Sequence, residues 1–180
     1  VPGAETLFEG VHRLPPGTFV RVREGRASDP VPYYRLPEPD TSIDAGDVTA
    51  ECAAAFQRAV DRQLLSDVPL GMALSGGLDS GMIVSAAARR LADGRNLRLP
   101  DRVCRTFTIG FHEPTDENAA AAEVAAHFGT EHTDRMLDLN PLARAREVIR
   151  AIEEPKVNML QGYELASVVA SQGGKVLFSG

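Results

Sequence analysis

The sequence contains no tryptophan and only two cysteines, Cys52 and Cys104, among its 180 residues. Two cysteines far apart in apolar surroundings argue against a disulfide framework or a thiolate zinc site, and favour buried thiols in a reducing compartment. No apolar run approaches the roughly 20 residues of a membrane helix, and the first residues lack the basic and apolar regions of a signal peptide. These absences favour a cytoplasmic protein with no membrane partner.

An excess of positive charge is also lacking. The net charge is -6, from 19 basic and 25 acidic residues, so nucleic acid is not an expected partner. The acidic balance does not exclude ATP, because phosphates respond to the local field of a loop and a bound metal. With 43% hydrophobic and 24% charged residues, the chain has the composition of a globular protein. Its length suits one domain, or one domain with part of a second.

Residues 1–40 are rich in proline and glycine and hold only short β-like pieces, such as Thr18–Val22. Glu24 and Gly25 are predicted to form the turn of a small hairpin. The stretch from Pro37 to Asp47 has no periodicity and is typical of a linker. The sequence therefore predicts a domain boundary in this stretch.

The pattern changes at Asp47, the predicted N-cap of a first helix, because apolar residues then recur every four positions up to Leu64. Short apolar segments and alanine-rich helical segments alternate through the rest of the chain. This alternation predicts an α/β fold with a parallel sheet, flanking helices and right-handed crossovers. The predicted strands cover 68–74, 103–111, 131–137 and 175–178, and the predicted helices 79–91, 116–128, 142–152 and 163–171.

The motif SGGLDS, from Ser75 to Ser80, lies between a predicted strand and a predicted helix. Gly76 and Gly77 let the backbone turn sharply and approach a ligand closely. The amide groups that open the helix, together with its dipole, favour an anion, and the two serines add hydroxyl donors. Asp79 would repel a bare phosphate, so its presence indicates a bridging Mg²⁺.

A simpler interpretation is that this motif is only a turn followed by a helix cap. The two serines and the aspartate at these places, between a strand and a helix, favour a phosphate site instead. The other common phosphate motifs are absent, because no GxxxxGK[ST] loop occurs and no GxGxxG follows a strand.

The segment DVPLGMALSGGLDS resembles the pyrophosphate loop of the asparagine synthetase family, within the N-type ATP pyrophosphatases. TLFEGVHRLPPGTFV resembles the end of that family's glutaminase domain, and RTFTIGF with DENAAAAEVAAHFGTEH resembles its next strand, helix and strand. KVLFSG resembles the start of a second signature. The resemblance implies an adenine nucleotide alpha hydrolase-like (Rossmann-like) fold over 47–180. It also implies that 1–40 are the tail of a glutaminase domain of the N-terminal nucleophile type, with a linker.

The resemblance also implies roles for individual residues. Asp79, Ser75 and Ser80 would serve the chemistry, with Asp79 as the metal ligand. Leu74 and Ile109 fall where the family contacts AMP through backbone groups, although both could equally be core residues of a strand. The residues implied to bind ATP and Mg²⁺ are Leu74, Ser75, Gly76, Gly77, Asp79, Ser80, Ile109, Ser179 and Gly180.

The implied reaction activates a small-molecule carboxylate, with aspartate as the leading candidate, as an acyl-adenylate and releases pyrophosphate. Ammonia drawn from glutamine by a glutaminase domain then displaces AMP. Two alternatives stay open. One is a relative with an internal amine nucleophile, of the β-lactam-forming or lasso-peptide-cyclising type. The other is a nucleotide-binding fragment without turnover.

Three departures from the family pattern shape these expectations. The acidic residues of the second signature, including a second Mg²⁺ ligand, would follow Gly180, and the N-terminal nucleophilic cysteine is absent. The segment 153–167 lacks the Ser/Thr-rich stretch of some asparagine synthetases. We therefore expect the synthetase domain to be truncated at its C-terminal end and this chain to be inactive alone. A homodimer is left open.

Overall fold

The computed structural model describes residues 3–39, 41–42, 44–94, 100–138, 140–153 and 158–179, to which all structural statements refer. None of the helices in these ranges combines the length and the apolarity that crossing a membrane requires. The helices are α1 (Ala45–Gln63), α2 (Leu78–Asp93), α3 (Asn118–Phe128), α4 (Pro141–Ile152) and α5 (Met159–Ser171). The strands are β1 (Thr18–Phe19), β2 (Val22–Arg23), β3 (Arg26–Ala27), β4 (Val31–Pro32), β5 (Leu70–Ala73), β6 (Arg105–Gly110), β7 (Glu131–Met136) and β8 (Val176–Phe178).

The N-terminal segment forms two small antiparallel pairs, β1 with β4 and β2 with β3. Glu24 and Gly25 join β2 to β3 with positive φ angles of 51° and 76°, so the turn predicted from the sequence is confirmed. Large apolar side chains of this segment face solvent, including Tyr33 at 71% and Leu36 at 84% exposure.

Helix α1 begins three residues earlier than the sequence predicted. Asp44, with extended backbone, caps the helix by accepting a hydrogen bond from the amide of Gly46 at 2.8 Å. The prediction of Asp47 as N-cap is therefore wrong. Asp47 lies in the first turn instead, where its charge complements the helix dipole.

The apolar stripe of α1 is buried only toward the end of the helix. Val60 and Leu64 belong to the core, Phe56 packs against it, and Cys52 is exposed. The expectation of two buried thiols is therefore wrong for Cys52, because the first turns of α1 extend past the core cluster. Cys104 is partly buried, and this burial raises the pKa of its thiol to about 11.

Strands β5 to β8 form one parallel sheet in the order β7-β6-β5-β8, flanked by helices. This confirms the predicted α/β fold. Helix α3 ends at Gly129, which has a φ of 63°, as expected of a left-handed C-cap. The predicted element boundaries agree with the structure within a few residues, except that α5 begins four residues before Tyr163.

The strand order reverses at β5. The chain passes from β5 to β6 and β7 in one direction, and β8 then pairs with the other side of β5. Met72 is aligned with Phe178, so the carboxyl ends of β5 and β8 lie side by side. In open α/β sheets, ligands bind in the crevice at such a switch point.

Candidate nucleotide site

The glycine loop, defined as Ser75–Ser80, leads from β5 into the first turn of α2 at this switch point. Gly77 is the N-cap of α2 with φ -78° and ψ 162°, and no side chain of the described residues caps the helix. Asp79 lies in the first turn. Because the first amide groups of a helix have no partners within it, this uncapped end can receive an anion.

Neither glycine of the loop has a positive φ angle. Gly76 is required by space, because a Cβ atom there would lie 2.5 Å from the Cβ atom of Ala120 in α3. A Cβ atom on Gly77 would lie 3.2 Å from Oγ of Ser75. The close approach at Gly76 is therefore to α3, and the close approach to a ligand stays a prediction.

The two serines of the loop bind each other. Their hydroxyl oxygens are 2.9 Å apart, and Oγ of Ser80 also accepts from the amide of Ser75 at 3.1 Å. Oγ of Ser75 accepts from the amide of Gly77 at 3.2 Å. The hydroxyls thus brace the loop, and whichever of them donates to the other must rotate before it can donate to a phosphate.

Asp79 is exposed, and no ion pair among the described residues involves it. The part of the chain that the structure describes also holds no group of three or more Asp, Glu, His or Cys residues that could hold a metal. A cation beside Asp79 would take its other ligands from phosphate oxygens and water. Mg²⁺ is commonly bound in this way, by one or two carboxylates together with substrate phosphates. The residues present therefore fit Mg²⁺ with Asp79 as its protein ligand.

Two cavities open at the carboxyl ends of the strands. The small cavity, of about 260 Å³, is lined by Ala73, Ser75, Asp79, Ser80 and Ser179. The fold thus brings Ser179, at the end of β8, to the glycine loop, and its role in ligand binding stays a prediction. Gly180, predicted to lie beside it, is outside the described residues.

The large cavity, of about 470 Å³, adjoins the small one because Ala73 and Ser75 line both. Leu74 and Ile109 also line it. Leu74 is only 2% exposed, and its main chain is already engaged: its amide donates to Phe107 and its carbonyl accepts from Thr108. Leu74 is therefore both a core residue and part of the cavity wall, whereas Ile109 is only partly buried.

Comparison with known proteins agrees with this geometry. The sequence model of the family described as Asparagine synthase matches residues 51–180. The chain belongs to the asparagine synthase family.

Several known proteins are similar in sequence to this family member along most of its length. It is 31% identical to an asparagine synthetase [glutamine-hydrolyzing] of Arabidopsis thaliana over 93% of the chain and 29% of that protein. It is 30% identical to one of Triphysaria versicolor, over 99% of the chain and 31% of that protein. It is also 30% identical to amidase chyE of Penicillium rubens, over 98% of the chain and 28% of that protein. The chain thus spans less than a third of the length of these relatives.

In this asparagine synthase family member, the loop between β6 and α3 forms a wall of the large cavity that the sequence did not predict. The carboxylate of Asp116 accepts from the amides of Phe111 and Glu113 at 2.9 and 3.0 Å, which fixes the loop. A signal was present, because an aspartate that follows a strand and precedes a helix is a typical turn residue.

Helix α5 also lines the large cavity, through residues that include Gln161 and Leu165. Gln161 was missed because the predicted helix began only at Tyr163. An ion pair ties α5 to α4, since Arg144 donates to both carboxylate oxygens of Glu164 at 2.6 and 2.8 Å. Glu153 ends α4 with a φ of 55° and does not line either cavity.

Proposed function

We propose that this protein is the synthetase part of an ATP-dependent, amide-forming ligase that activates a carboxylate as its acyl-adenylate. One observation carries the proposal: the uncapped start of α2 and Asp79 share a small cavity with Ser75, Ser80 and Ser179, and this cavity adjoins the large one. A phosphate site next to a largely apolar pocket suits a nucleotide.

The pyrophosphate portion of ATP would lie in the small cavity, against the amide groups at the start of α2. Mg²⁺, when bound, would neutralise phosphate charge, with Asp79 as its protein ligand. Ser75 and Ser80 would exchange their mutual hydrogen bond for bonds to phosphate oxygens. The base would lie in the large cavity near Leu74 and Ile109.

In the proposed reaction, a carboxylate oxygen of the substrate attacks the α-phosphorus of ATP, and the bond to the β-phosphate bridging oxygen breaks, releasing pyrophosphate. The nitrogen of ammonia or an amine then attacks the activated carbonyl. AMP leaves and the nitrogen loses a proton. The protein's contribution is to position the reactants and neutralise charge, and no protein nucleophile is needed.

For the nitrogen source, we propose glutamine-derived ammonia and, for the carboxylate, aspartate. Relatives over most of this chain are asparagine synthetases described as glutamine-hydrolyzing, which supports this assignment. A second candidate is a relative that uses an amine of the substrate itself. The similarity to amidase chyE, which is not described as an asparagine synthetase, is compatible with this second candidate.

The central test is ATP–pyrophosphate exchange measured across a Mg²⁺ titration in a form of the protein that carries the acidic second signature, with Asp79→Asn compared with Asp47→Asn. Both aspartates are exposed and lie in the first turn of a helix, so they are matched in local structure. We expect Asp79→Asn to abolish exchange while the unfolding midpoint stays unchanged, and Asp47→Asn to keep exchange. Wild-type exchange in folded Asp79→Asn would contradict the assignment of Asp79.

The same assay identifies the substrates. Aspartate should raise exchange, and added ammonia should convert aspartate to asparagine with one AMP released per amide. Exchange without any response to aspartate or ammonia would favour the second candidate. Absence of both exchange and Mg-pyrophosphate binding would contradict the proposed function for this chain.

A further inference from the structure

The first turn of α3 packs directly against the glycine loop. A Cβ atom built on Gly76 would lie 2.5 Å from Cβ of Ala120 and 3.3 Å from Cβ of Glu117. Ala120 is otherwise exposed, so the core does not require its methyl group. The main effect of this contact is therefore to limit how closely the main chain of Gly76 approaches α3.

Several contacts hold this turn of α3 in place. The side-chain amide of Asn118 donates to the carboxylate of Asp134 on β7. Gly110 at the end of β6 has no room for a side chain, because a Cβ atom there would lie 2.5 Å from Oδ1 of Asn118. Asp116 fixes the preceding loop through its two main-chain hydrogen bonds. The methyl group of Ala120 is thus held in a fixed position beside Gly76.

We propose that Ala120 is a positioning residue for the glycine loop. Its methyl group sets how closely the main chain of Gly76 can approach α3. It thereby sets the direction of the amide groups that lead into α2. This inference rests on the proposed function, because those amides are the ones assigned to pyrophosphate. Ala120 lines neither cavity, so it acts through Gly76 and does not touch the ligand.

The physical argument is one of preorganisation. Amide groups stabilise a phosphate only when they already point at its oxygens, and small displacements of such groups weaken binding strongly. A side chain on Gly76 would push the loop away from α3. Removing the methyl group of Ala120 would remove the closest contact of such a side chain. The 3.3 Å approach to Cβ of Glu117 would stay.

The test is a double-mutant cycle on the full chain, read by calorimetric titration with Mg-pyrophosphate. We expect Gly76→Ala to weaken binding by about tenfold or more, and Gly76→Ala/Ala120→Gly to regain most of it. The control, Gly76→Ala/Ala122→Gly, changes an exposed alanine of α3 that is not among the nearest neighbours of a side chain at position 76, and it should stay weak. Each double variant places one glycine in α3, and the unfolding midpoint of each measures the loss of helix stability, so that a general effect is separated from positioning.

Equal recovery in the two double variants, or wild-type binding by Gly76→Ala, would overturn the role of Ala120. The amide resonances of Gly76 and Gly77 in the ligand-free protein give a second readout. They should shift in Ala120→Gly and not in Ala122→Gly, and equal shifts in both would also overturn it. If the wild type does not bind Mg-pyrophosphate, the proposed function fails, and these resonances still decide the positioning role.

Discussion

The hydroxyl of Thr108 in β6 donates a hydrogen bond to the carbonyl oxygen of Leu74 at 2.5 Å. Both residues are buried, with 5% and 2% exposure. Leu74 also donates its amide to Phe107, so β6 holds both main-chain groups of the residue that precedes the glycine loop. The end of β5 is therefore fixed before any ligand arrives.

Replacing Thr108 with valine should destabilise the fold by about 1–2 kcal/mol, because the shape is kept and a buried hydrogen bond is lost. Urea denaturation measures this change. Thr115→Val, at an exposed threonine, is the matched control and should change stability by less than about 0.5 kcal/mol. Equal effects of the two substitutions would show that the Leu74 bond contributes nothing.

Arg144→Met should lower the urea midpoint of unfolding, because the mostly buried carboxylate of Glu164 loses its partner, although solvent screens part of the charge. The side chain of Glu164 is 12% exposed and that of Arg144 is 38% exposed. Arg146→Met, at an exposed arginine of the same helix, is the control. A double-mutant cycle with Glu164→Gln should show coupling, and additive losses would contradict a direct interaction.

His132 should make stability depend on pH. Burial lowers the pKa of its imidazole, and the charge of Asp134 opposes this shift. Below about pH 6.5, the unfolded chain then binds more protons than the folded protein, so stability falls as the pH falls. We expect His132→Gln to lose less stability than the wild type between pH 8 and pH 5.5. The exposed His127→Gln should behave like the wild type, and a wild-type pH slope in His132→Gln would contradict the shift.

The two thiols should react at different rates. Cys52 is exposed, whereas burial raises the pKa of Cys104 to about 11 and keeps it protonated at neutral pH. Titration with a thiol reagent at pH 8 should show one fast and one slow equivalent, the slow one becoming fast in denaturant. Cys52→Ser should remove the fast phase, and a fast phase that persists would place Cys104 in solvent contact.

Much of the sheet could be predicted from the sequence, because each strand and helix carries its own local signal. Gly129 and the Glu24-Gly25 turn behave as their residue types predict. Asp44 and Asp47 show the limit, since two aspartates near one helix start are equivalent in sequence. Only the hydrogen bond to Gly46 distinguishes them.

Other features depend on contacts between distant residues and leave no local signal. The position of β8 beside β5 decides that Ser179 meets the glycine loop, and strand order is not encoded in any single segment. The need for glycine at position 76 comes from Ala120 in another helix. The exposure of Cys52 depends on where the core cluster ends, which the regular apolar stripe does not reveal.

The return of β8 to the free side of β5 has a consequence for folding. Strands β5, β6 and β7 follow one another along the chain, whereas β8 pairs only after α4 and α5 have been formed or passed. Contacts of such long sequence separation are costly in chain entropy and form slowly. The small cavity has one wall on each side of this pairing, at Ser80 and Ser179. A ligand that contacts both walls therefore holds β8 in place by mass action, and its binding reports that β8 has paired with β5.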